Sequence, residues 1–202
     1  MNEVTPTFLF ASNNLNKLRE INSLMPPGLI VRSLMDAGID IDIPEPFHTL
    51  EENARTKSLT IFEKSGLNCF AEDTGLEVKA LDGAPGVKSA RYAGEHAEPQ
   101  ENIALLLRNM MGKTERSARF RTVVSLIMEG KEYQFEGICR GHITQETSGE
   151  SGFGYDPVFI PEGTDKTFAE MNLAEKNKYS HRKKAVVKLL EFLNDWYEEN
   201  HR

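Results

Sequence analysis

Segments with helical periodicity alternate with short apolar segments in the first half of the chain, and this alternation limits the possible folds more than any other feature. An apolar stretch at residues 7–11 predicts a strand, and residues 15–25 then carry apolar side chains at helical spacing. A second helix is expected to begin after Thr49, where Thr-Leu-Glu-Glu fits a capping box, and to end at Gly66. The apolar residues 67–71 predict a buried strand.

The second half has a different pattern. Residues 120–128 are apolar and β-branched, Glu129-Gly130 is typical of a turn, and residues 131–142 alternate, which together predict a β-hairpin. A long helix is predicted at about residues 180–197. No linker rich in Pro, Gly or Ser divides the chain, so we predict a single domain over residues 1–202. Its fold is expected to be α/β, with a mixed parallel and antiparallel sheet and two lobes.

Composition excludes several classes of protein. The 24 Lys and Arg against 31 Asp and Glu give a formal net charge of −7, which disfavours binding along a nucleic-acid backbone. No apolar run approaches the roughly 20 residues that span a bilayer, and the first residues lack the basic stretch of an export signal. Cys69 and Cys139 are expected to be buried thiols. We therefore expect a cytoplasmic protein that binds neither nucleic acid nor membrane.

The segment from Ser12 to Lys17 lies at the junction between the first predicted strand and the first predicted helix. Helix N-termini offer unpaired N–H groups that bind phosphate, to which Ser12, Asn13 and Asn14 would add polar contacts and Lys17 a charge. Ser and Asn are also preferred helix caps, and the segment by itself favours that simpler interpretation.

The acidic segment Glu72-Asp73-Thr74-Gly75 follows the predicted strand at 67–71. Open α/β sheets bind ligands beyond the carboxyl ends of their strands. Two adjacent acids there call for a compensating cation, such as Mg²⁺ with phosphate oxygens. Glu45 is the nearest acidic companion. The segment could equally be a turn in which Asp73 bonds to local backbone.

Two glycine-rich segments predict shaped loops. Residues 83–94 contain three Gly and one Pro. In residues 152–157, two glycines flank Phe153, which would leave its ring open to a planar ligand such as a purine. The alternative is a glycine-rich turn with Phe153 in the core.

The last predicted helix opens with Ser180-His181-Arg182-Lys183-Lys184, and Lys176 lies just upstream. Cations in a first turn oppose the helix dipole by about 0.3–1 kcal/mol each, so an anionic ligand would relieve this cost. The alternative is a solvated basic face. Taken together, the candidate residues suit a nucleoside polyphosphate with Mg²⁺.

Six motifs, in the same order along the chain, resemble those of the Ham1-type inosine triphosphate pyrophosphatases. They are Ser12 to Lys17, Glu52-Asn53-Ala54, Asp73 to Leu76, Gly83 to Gly94, Gly152 to Pro157 and Ser180-His181-Arg182. The resemblance implies an elongated mixed α/β fold, with two lobes around a central cleft, that acts as a homodimer. It also implies hydrolysis of ITP, dITP and XTP to the monophosphate and pyrophosphate with Mg²⁺, which cleanses the nucleotide pool.

The resemblance further implies roles for individual residues. Asp73 matches the catalytic acid, which takes a proton from water, and Asp73 with Glu45 matches the metal carboxylates. The residues implied in substrate binding are Ser12, Asn13, Asn14, Lys17, Lys57, Thr74, Phe153, Gly154, Tyr155, Asp156, Lys176, His181 and Arg182. Phe153 would stack on the purine, while His181 and Arg182 would donate to its O6 and so reject adenine.

Two positions depart from the usual motifs of these enzymes. Asn13 stands where Gly is more common, and Thr74 stands where Ser is more common. Two other functions would use the same residues: a non-catalytic purine nucleotide sensor, and a phosphohydrolase that releases orthophosphate. Only the pyrophosphatase produces pyrophosphate.

Overall fold

The computed structural model describes residues 7–200, and their fold is α/β, as predicted. The strands are β1 (Thr7–Phe10), β2 (Ile30–Ser33), β3 (Cys69–Val78), β4 (Pro85–Gly86), β5 (Ser117–Met128), β6 (Lys131–Ile143) and β7 (Phe159–Pro161). The α-helices are α1 (Leu15–Asn22), α2 (Leu50–Ser65), α3 (Pro99–Asn109), α4 (Leu173–Lys176) and α5 (His181–Asn200).

The sheet is mixed, which confirms the predicted fold class. Within the described part of the chain the strand order is β2-β1-β3-β5-β6-β7, with β4 beside β3. Strand β1 runs parallel to β2 and to β3, whereas β4 is antiparallel to β3 and β7 is antiparallel to β6.

The chain forms two compact units. Of the described residues, the first unit contains 7–73, 123–136 and 182–200, and the second contains 74–122 and 137–181. We call them unit 1 and unit 2. The predicted single domain, elongated shape and central cleft stay predictions.

The core of unit 1 lies on both faces of its strands. Along β1, Phe8 and Phe10 pack with α1 and α5, whereas Leu9 packs in the cluster that contains Ile61 of α2. This alternation is the period of two that a strand imposes on its side chains. The side on which a β-strand residue of unit 1 points therefore decides which helices it meets.

The core of unit 2 is built around aromatic side chains. Phe120 of β5 packs edge-on against Phe159, at a centroid distance of 4.7 Å, and it also stacks on Phe168. Leu106 of α3 and Leu76 of β3 belong to the same buried cluster. Unit 2 thus has a hydrophobic core of its own.

Local signals predicted several element boundaries correctly. Thr49 caps α2 by accepting a hydrogen bond from the Glu52 N–H, and Gly66 ends the helix in the left-handed conformation at φ 67°. Glu129 and Gly130 both have positive φ and form the two-residue turn between β5 and β6. These observations confirm the predicted second helix and the hairpin.

Two predicted boundaries were wrong. Helix α1 ends at Asn22 rather than near residue 25. Strand β3 does not end at residue 71 but continues through the acidic segment to Val78. Residue 75 of this strand is a glycine because β4 passes close to it. A Cβ at this position would lie 2.6 Å from the carbonyl oxygen of Gly86. The glycine is required by the close approach of two strands and not by a turn.

Candidate active site

Strand β3 presents two adjacent carboxylates to opposite faces of unit 1. Phe70 packs in the cluster shared with α1 and α5, and Ala71 packs in the cluster shared with α2. By the same alternation, Glu72 follows Phe70 and Asp73 follows Ala71. Both carboxylates are buried. The two acids therefore face different helices, although the charge of Lys17 acts on both of them.

The surroundings of Asp73 are supplied by α2 and by the loop that precedes it. The Lys57 ammonium donates to Asp73 Oδ1 at 3.2 Å and to Glu45 Oε1 at 2.5 Å. Asn53 lies one helical turn before Lys57, on the same face of α2, and donates to Asp73 Oδ2 at 3.4 Å. We call Asp73, Glu45, Lys57 and Asn53 the Asp73 cluster.

The electrostatics of this cluster make Asp73 a better base than an ordinary aspartate. Burial raises the pKa of Asp73, and the negative charge of Glu45 raises it further, against the opposing effect of Lys57 and Lys17. Burial alone would lower the pKa of Lys57, but Asp73 and Glu45 reverse this effect and raise it. A carboxylate with a raised pKa, held beside an ammonium, can accept a proton from a nearby water.

The surroundings of Glu72 come from α1 and α5. Arg182 donates two parallel hydrogen bonds to Glu72, from Nε to Oε2 at 2.6 Å and from Nη2 to Oε1 at 2.9 Å. Its Nη1 donates to Glu20. The Lys17 ammonium lies 3.0 Å from Glu72 Oε1. We call Glu72, Arg182, Glu20 and Lys17 the Glu72 cluster.

The charges of the Glu72 cluster stabilise one another. Burial would raise the pKa of Glu72, but Arg182 and Lys17 hold it far below its usual value. Burial would lower the pKa of Arg182, but Glu72 and Glu20 raise it. The guanidinium is 1% exposed. The anions that compensate Arg182 at the start of α5 are therefore carboxylates of the protein itself, and its contact with a purine stays a prediction.

The segment before α1 has the capping structure that the sequence favoured. Asn14 is the N-cap, and its side chain accepts from the Lys17 N–H at 3.1 Å. Ser12 Oγ accepts from the Asn14 N–H at 3.1 Å. The side chain of Asn13 donates to the carbonyl of Ile41 at 3.0 Å, so it holds the segment that leads to Glu45. The binding of phosphate by these residues stays a prediction.

In unit 2 a buried ion pair organises the glycine-rich loop. Lys176 donates to Asp156 Oδ2 at 2.6 Å, and its ammonium lies over the ring of half-buried Phe153, 5.1 Å from the centroid. Asp156 also accepts from the Phe153 N–H at 2.9 Å. Gly152 has φ 79°, and a Cβ there would lie 2.1 Å from Asp156 Oδ2. Phe153, Asp156 and Lys176 thus form one arrangement, and its binding of the purine stays a prediction.

Other predicted substrate-binding residues of unit 2 have internal contacts. The Tyr155 hydroxyl is committed to the carbonyl of Ser89 at 2.8 Å. Thr74 and Thr122 share a hydrogen bond of 2.6 Å between their hydroxyls. His181 is buried and stacks on Phe120 at a centroid distance of 4.6 Å. Gly154 adopts φ 59° in the loop. Their binding of substrate stays a prediction.

The donor set of the Asp73 cluster suits a magnesium ion that brings most of its ligands with it. Asp73 and Glu45 converge on one cationic nitrogen, that of Lys57. Over residues 7–200 there is no group of three or more His, Cys, Asp or Glu side chains arranged to hold a metal ion. Mg²⁺ usually takes one or two carboxylates and completes its shell with water and substrate phosphates, so two carboxylates fit it.

Sequence reasoning did not assign three residues of these clusters to a site. Asn53 has no assigned role within its motif, Glu72 is the sequence neighbour of Asp73, and no motif contains Glu20. The alternation of Phe70, Ala71, Glu72 and Asp73 along a strand was a usable signal that the two acids face apart. The partners of Glu20 had no local signal, because Arg182 is 162 residues away in sequence.

Cys69 and Cys139 are both buried thiols, as predicted. Burial raises the pKa of the Cys69 thiol to about 12, so it is not a reactive thiolate. None of the helices in the described part of the chain combines the length and apolar character required to cross a bilayer.

Comparison with known proteins agrees with the motif analysis. Residues 8–192 match the model of the Ham1 family. A Flavobacterium johnsoniae protein named dITP/XTP pyrophosphatase is 50% identical over 185 residues, which cover 92% of this chain and 96% of that protein. The solved Ham1 protein of Staphylococcus aureus is 37% identical, with a TM-score of 0.85 over 94% of this chain and 98% of its own. The HAM1 protein of Coxiella burnetii is 34% identical, with a TM-score of 0.86 over 94% and 99%. The chain therefore belongs to the Ham1 family.

Proposed function

We propose that this protein hydrolyses ITP, dITP and XTP to the nucleoside monophosphate and pyrophosphate. The observation that carries the proposal is the convergence of Asp73, Glu45 and Lys57 in a chain that is 50% identical to a named dITP/XTP pyrophosphatase. A buried carboxylate, a second acid and an ammonium are the groups that metal-assisted attack of water on a phosphate requires.

In the proposed reaction, Asp73 accepts a proton from the water that attacks the α-phosphorus. The bond between the α-phosphorus and the bridging oxygen breaks, and the electron pair leaves with the β,γ-pyrophosphate. Mg²⁺ held by Asp73 and Glu45 would neutralise phosphate charge. Lys57 remains protonated because its pKa is raised, so it can hold negative charge that develops on the phosphates.

The N-terminal end of α1 supports binding of the leaving pyrophosphate. Its unpaired N–H groups and the Lys17 ammonium favour an anion, and Ser12, Asn13 and Asn14 shape the preceding loop. Lys17 retains a side-chain exposure of 16%, so its ammonium can add a phosphate contact to its pair with Glu72.

Recognition of the purine belongs to residues of unit 2 and the start of α5. The proposed stacking partner is Phe153, with Lys176 held beside it by Asp156. The proposed donor to O6 of hypoxanthine or xanthine is His181, whereas the guanidinium of Arg182, predicted from the motif as a second donor, is committed to Glu72 and Glu20. Adenine has an amino group at that position, which would leave such a donor unpaired.

The assembly and the cellular location are part of the same proposal. The motifs resemble those of enzymes that act as homodimers, and the chain carries two buried thiols without a disulfide, which suits a reducing cytoplasm. Sedimentation of the purified chain at several concentrations tests the dimer.

A single assay tests the activity. The protein is incubated with ITP, dITP, XTP, ATP or GTP and Mg²⁺, and orthophosphate is measured with and without added inorganic pyrophosphatase. The proposal expects a signal for ITP, dITP and XTP that depends on the coupling enzyme. A signal without the coupling enzyme would indicate release of orthophosphate, and binding of ITP without any signal would indicate a sensor.

A further inference from the structure

We propose that Asn53 is a positioning residue for the reaction, which fixes the orientation of the Asp73 carboxylate and ties it to the segment that carries Glu45. This inference rests on the proposed function, because it assumes that Asp73 acts as the base.

The Asn53 side chain is fully buried and has three polar contacts. Its Oδ1 accepts from the Phe47 N–H at 3.0 Å, and its Nδ2 donates to the Phe47 carbonyl at 3.2 Å and to Asp73 Oδ2 at 3.4 Å. One amide therefore joins the backbone of the loop before α2 to the carboxylate on β3.

The hydrogen-bond network admits only one orientation of this amide. If the oxygen and nitrogen of Asn53 were exchanged, its NH₂ would face the Phe47 N–H, and its oxygen would face both the Phe47 carbonyl and the Asp73 carboxylate. Every contact would then place a donor against a donor or an acceptor against an acceptor in a buried site. Anchoring Phe47 consequently forces the Asn53 NH₂ toward Asp73.

This contact has a consequence for the chemistry of Asp73. With Oδ2 held by Asn53 and Oδ1 held by Lys57, the carboxylate cannot rotate about its χ2 bond without losing both partners. A base must present its lone pair in a defined direction to the proton that it accepts, so a fixed carboxylate needs no reorganisation during the reaction.

The same amide also limits the position of Glu45. Glu45 lies two residues before Phe47, and the segment is held on its other side by the bond from Asn13 to Ile41. Asn53 thereby couples the two carboxylates of the Asp73 cluster through one rigid group on α2.

Two substitutions test separately the anchoring of Phe47 and the contact with Asp73. Asn53→Ala removes all three contacts. Asn53→Asp keeps an oxygen that accepts from the Phe47 N–H but removes both donors, and it places a carboxylate against Asp73. The matched control is Asn102→Ala, because Asn102 is also buried and bonds the backbone of a loop through Ala93 N and Ala90 O without touching a carboxylate.

Steady-state kinetics with ITP and Mg²⁺, thermal unfolding, and hydrogen exchange of the Phe47 amide by NMR are measured for each variant. We expect kcat to fall about 100-fold in both Asn53 variants with little change in KM, as for a base displaced by about 1 Å. Phe47 should exchange faster in Asn53→Ala and remain protected in Asn53→Asp. Asn102→Ala should lower the unfolding temperature and keep kcat.

Three outcomes would overturn the proposal: kcat near the wild-type value in a folded Asn53→Asp variant, an equal loss of kcat in Asn102→Ala, or rapid exchange of Phe47 in the wild-type protein. The last measurement needs no variant, so it holds even if Asn53→Ala does not fold. Failure of the wild-type protein to release pyrophosphate would instead refute the proposed function.

Discussion

The two faces of β3 compensate a buried carboxylate in different ways. Glu72 and Asp73 are neighbours in sequence and both are buried. The guanidinium that pairs with Glu72 is 1% exposed, whereas the Glu45 side chain that shares Lys57 with Asp73 is 26% exposed. The pKa of Glu72 is lowered and that of Asp73 is raised. One carboxylate is fixed as a permanent anion, and the other is kept able to take up a proton.

The difference arises from the cations that each face receives. Arg182 cannot lose its proton and matches a carboxylate with two parallel bonds, so it locks Glu72. Lys57 is a single ammonium shared between Asp73 and Glu45, so the two acids compete for it. Because side chains alternate along a strand, two adjacent residues can belong to a structural ion network on one face and to a reactive site on the other.

The largest effect is expected for Asp73→Asn. The substitution removes the proposed base but keeps the shape of the side chain, so kcat for ITP should fall about 100- to 10,000-fold, the usual contribution of a general base. Binding of ITP, measured by calorimetry with Mg²⁺, should be largely retained. Near-normal turnover would remove Asp73 from its role.

Arg182→Met tests the opposite face. Loss of the guanidinium removes two bonds from buried Glu72 and one from buried Glu20, so we expect a loss of about 3–5 kcal/mol in unfolding free energy in urea. Adding Glu72→Gln to this variant should restore part of the stability. If Arg182→Met unfolded at the same urea concentration as the wild type, the Glu72 cluster would not be a structural network.

Lys17→Met tests the comparison further, because Lys17 pairs with Glu72 but its side chain is 16% exposed. Glu72 retains both bonds from Arg182, so stability should fall by about 1 kcal/mol or less. KM for ITP should rise about tenfold, equivalent to about 1.4 kcal/mol of binding, if the ammonium also holds phosphate. An unchanged KM would confine Lys17 to the structural network.

The smallest effect is expected for Thr49→Ala, at the start of the helix that carries Asn53 and Lys57. Loss of the N-cap bond to the Glu52 N–H should cost about 1 kcal/mol of unfolding free energy. We expect kcat to be unchanged, because the first turn of α2 remains packed in the folded protein. A large loss of kcat would show that the Asp73 cluster tolerates no fraying of α2.

Local sequence signals were sufficient for much of the fold. The cap at Thr49, the left-handed Gly66 and the two-residue turn at Glu129 and Gly130 each depend on neighbours within a few residues, and each was predicted correctly. The end of β3 was predicted wrongly, because Gly75 has the same identity whether it serves a turn or the close approach of β4.

The site could be predicted only in part. The sequence by itself determined which residue types carry charge. That Glu72 and Asp73 face opposite ways follows from the period of a strand only because β3 continues through both residues, which the tertiary structure decided. Only the tertiary structure decided which partner each receives, since Arg182 reaches Glu72 across 110 residues and Lys57 reaches Asp73 across 16. The physical reason is that a buried charge takes its pKa and its role from the charged groups that packing brings within about 4–6 Å, and no local pattern encodes those distances.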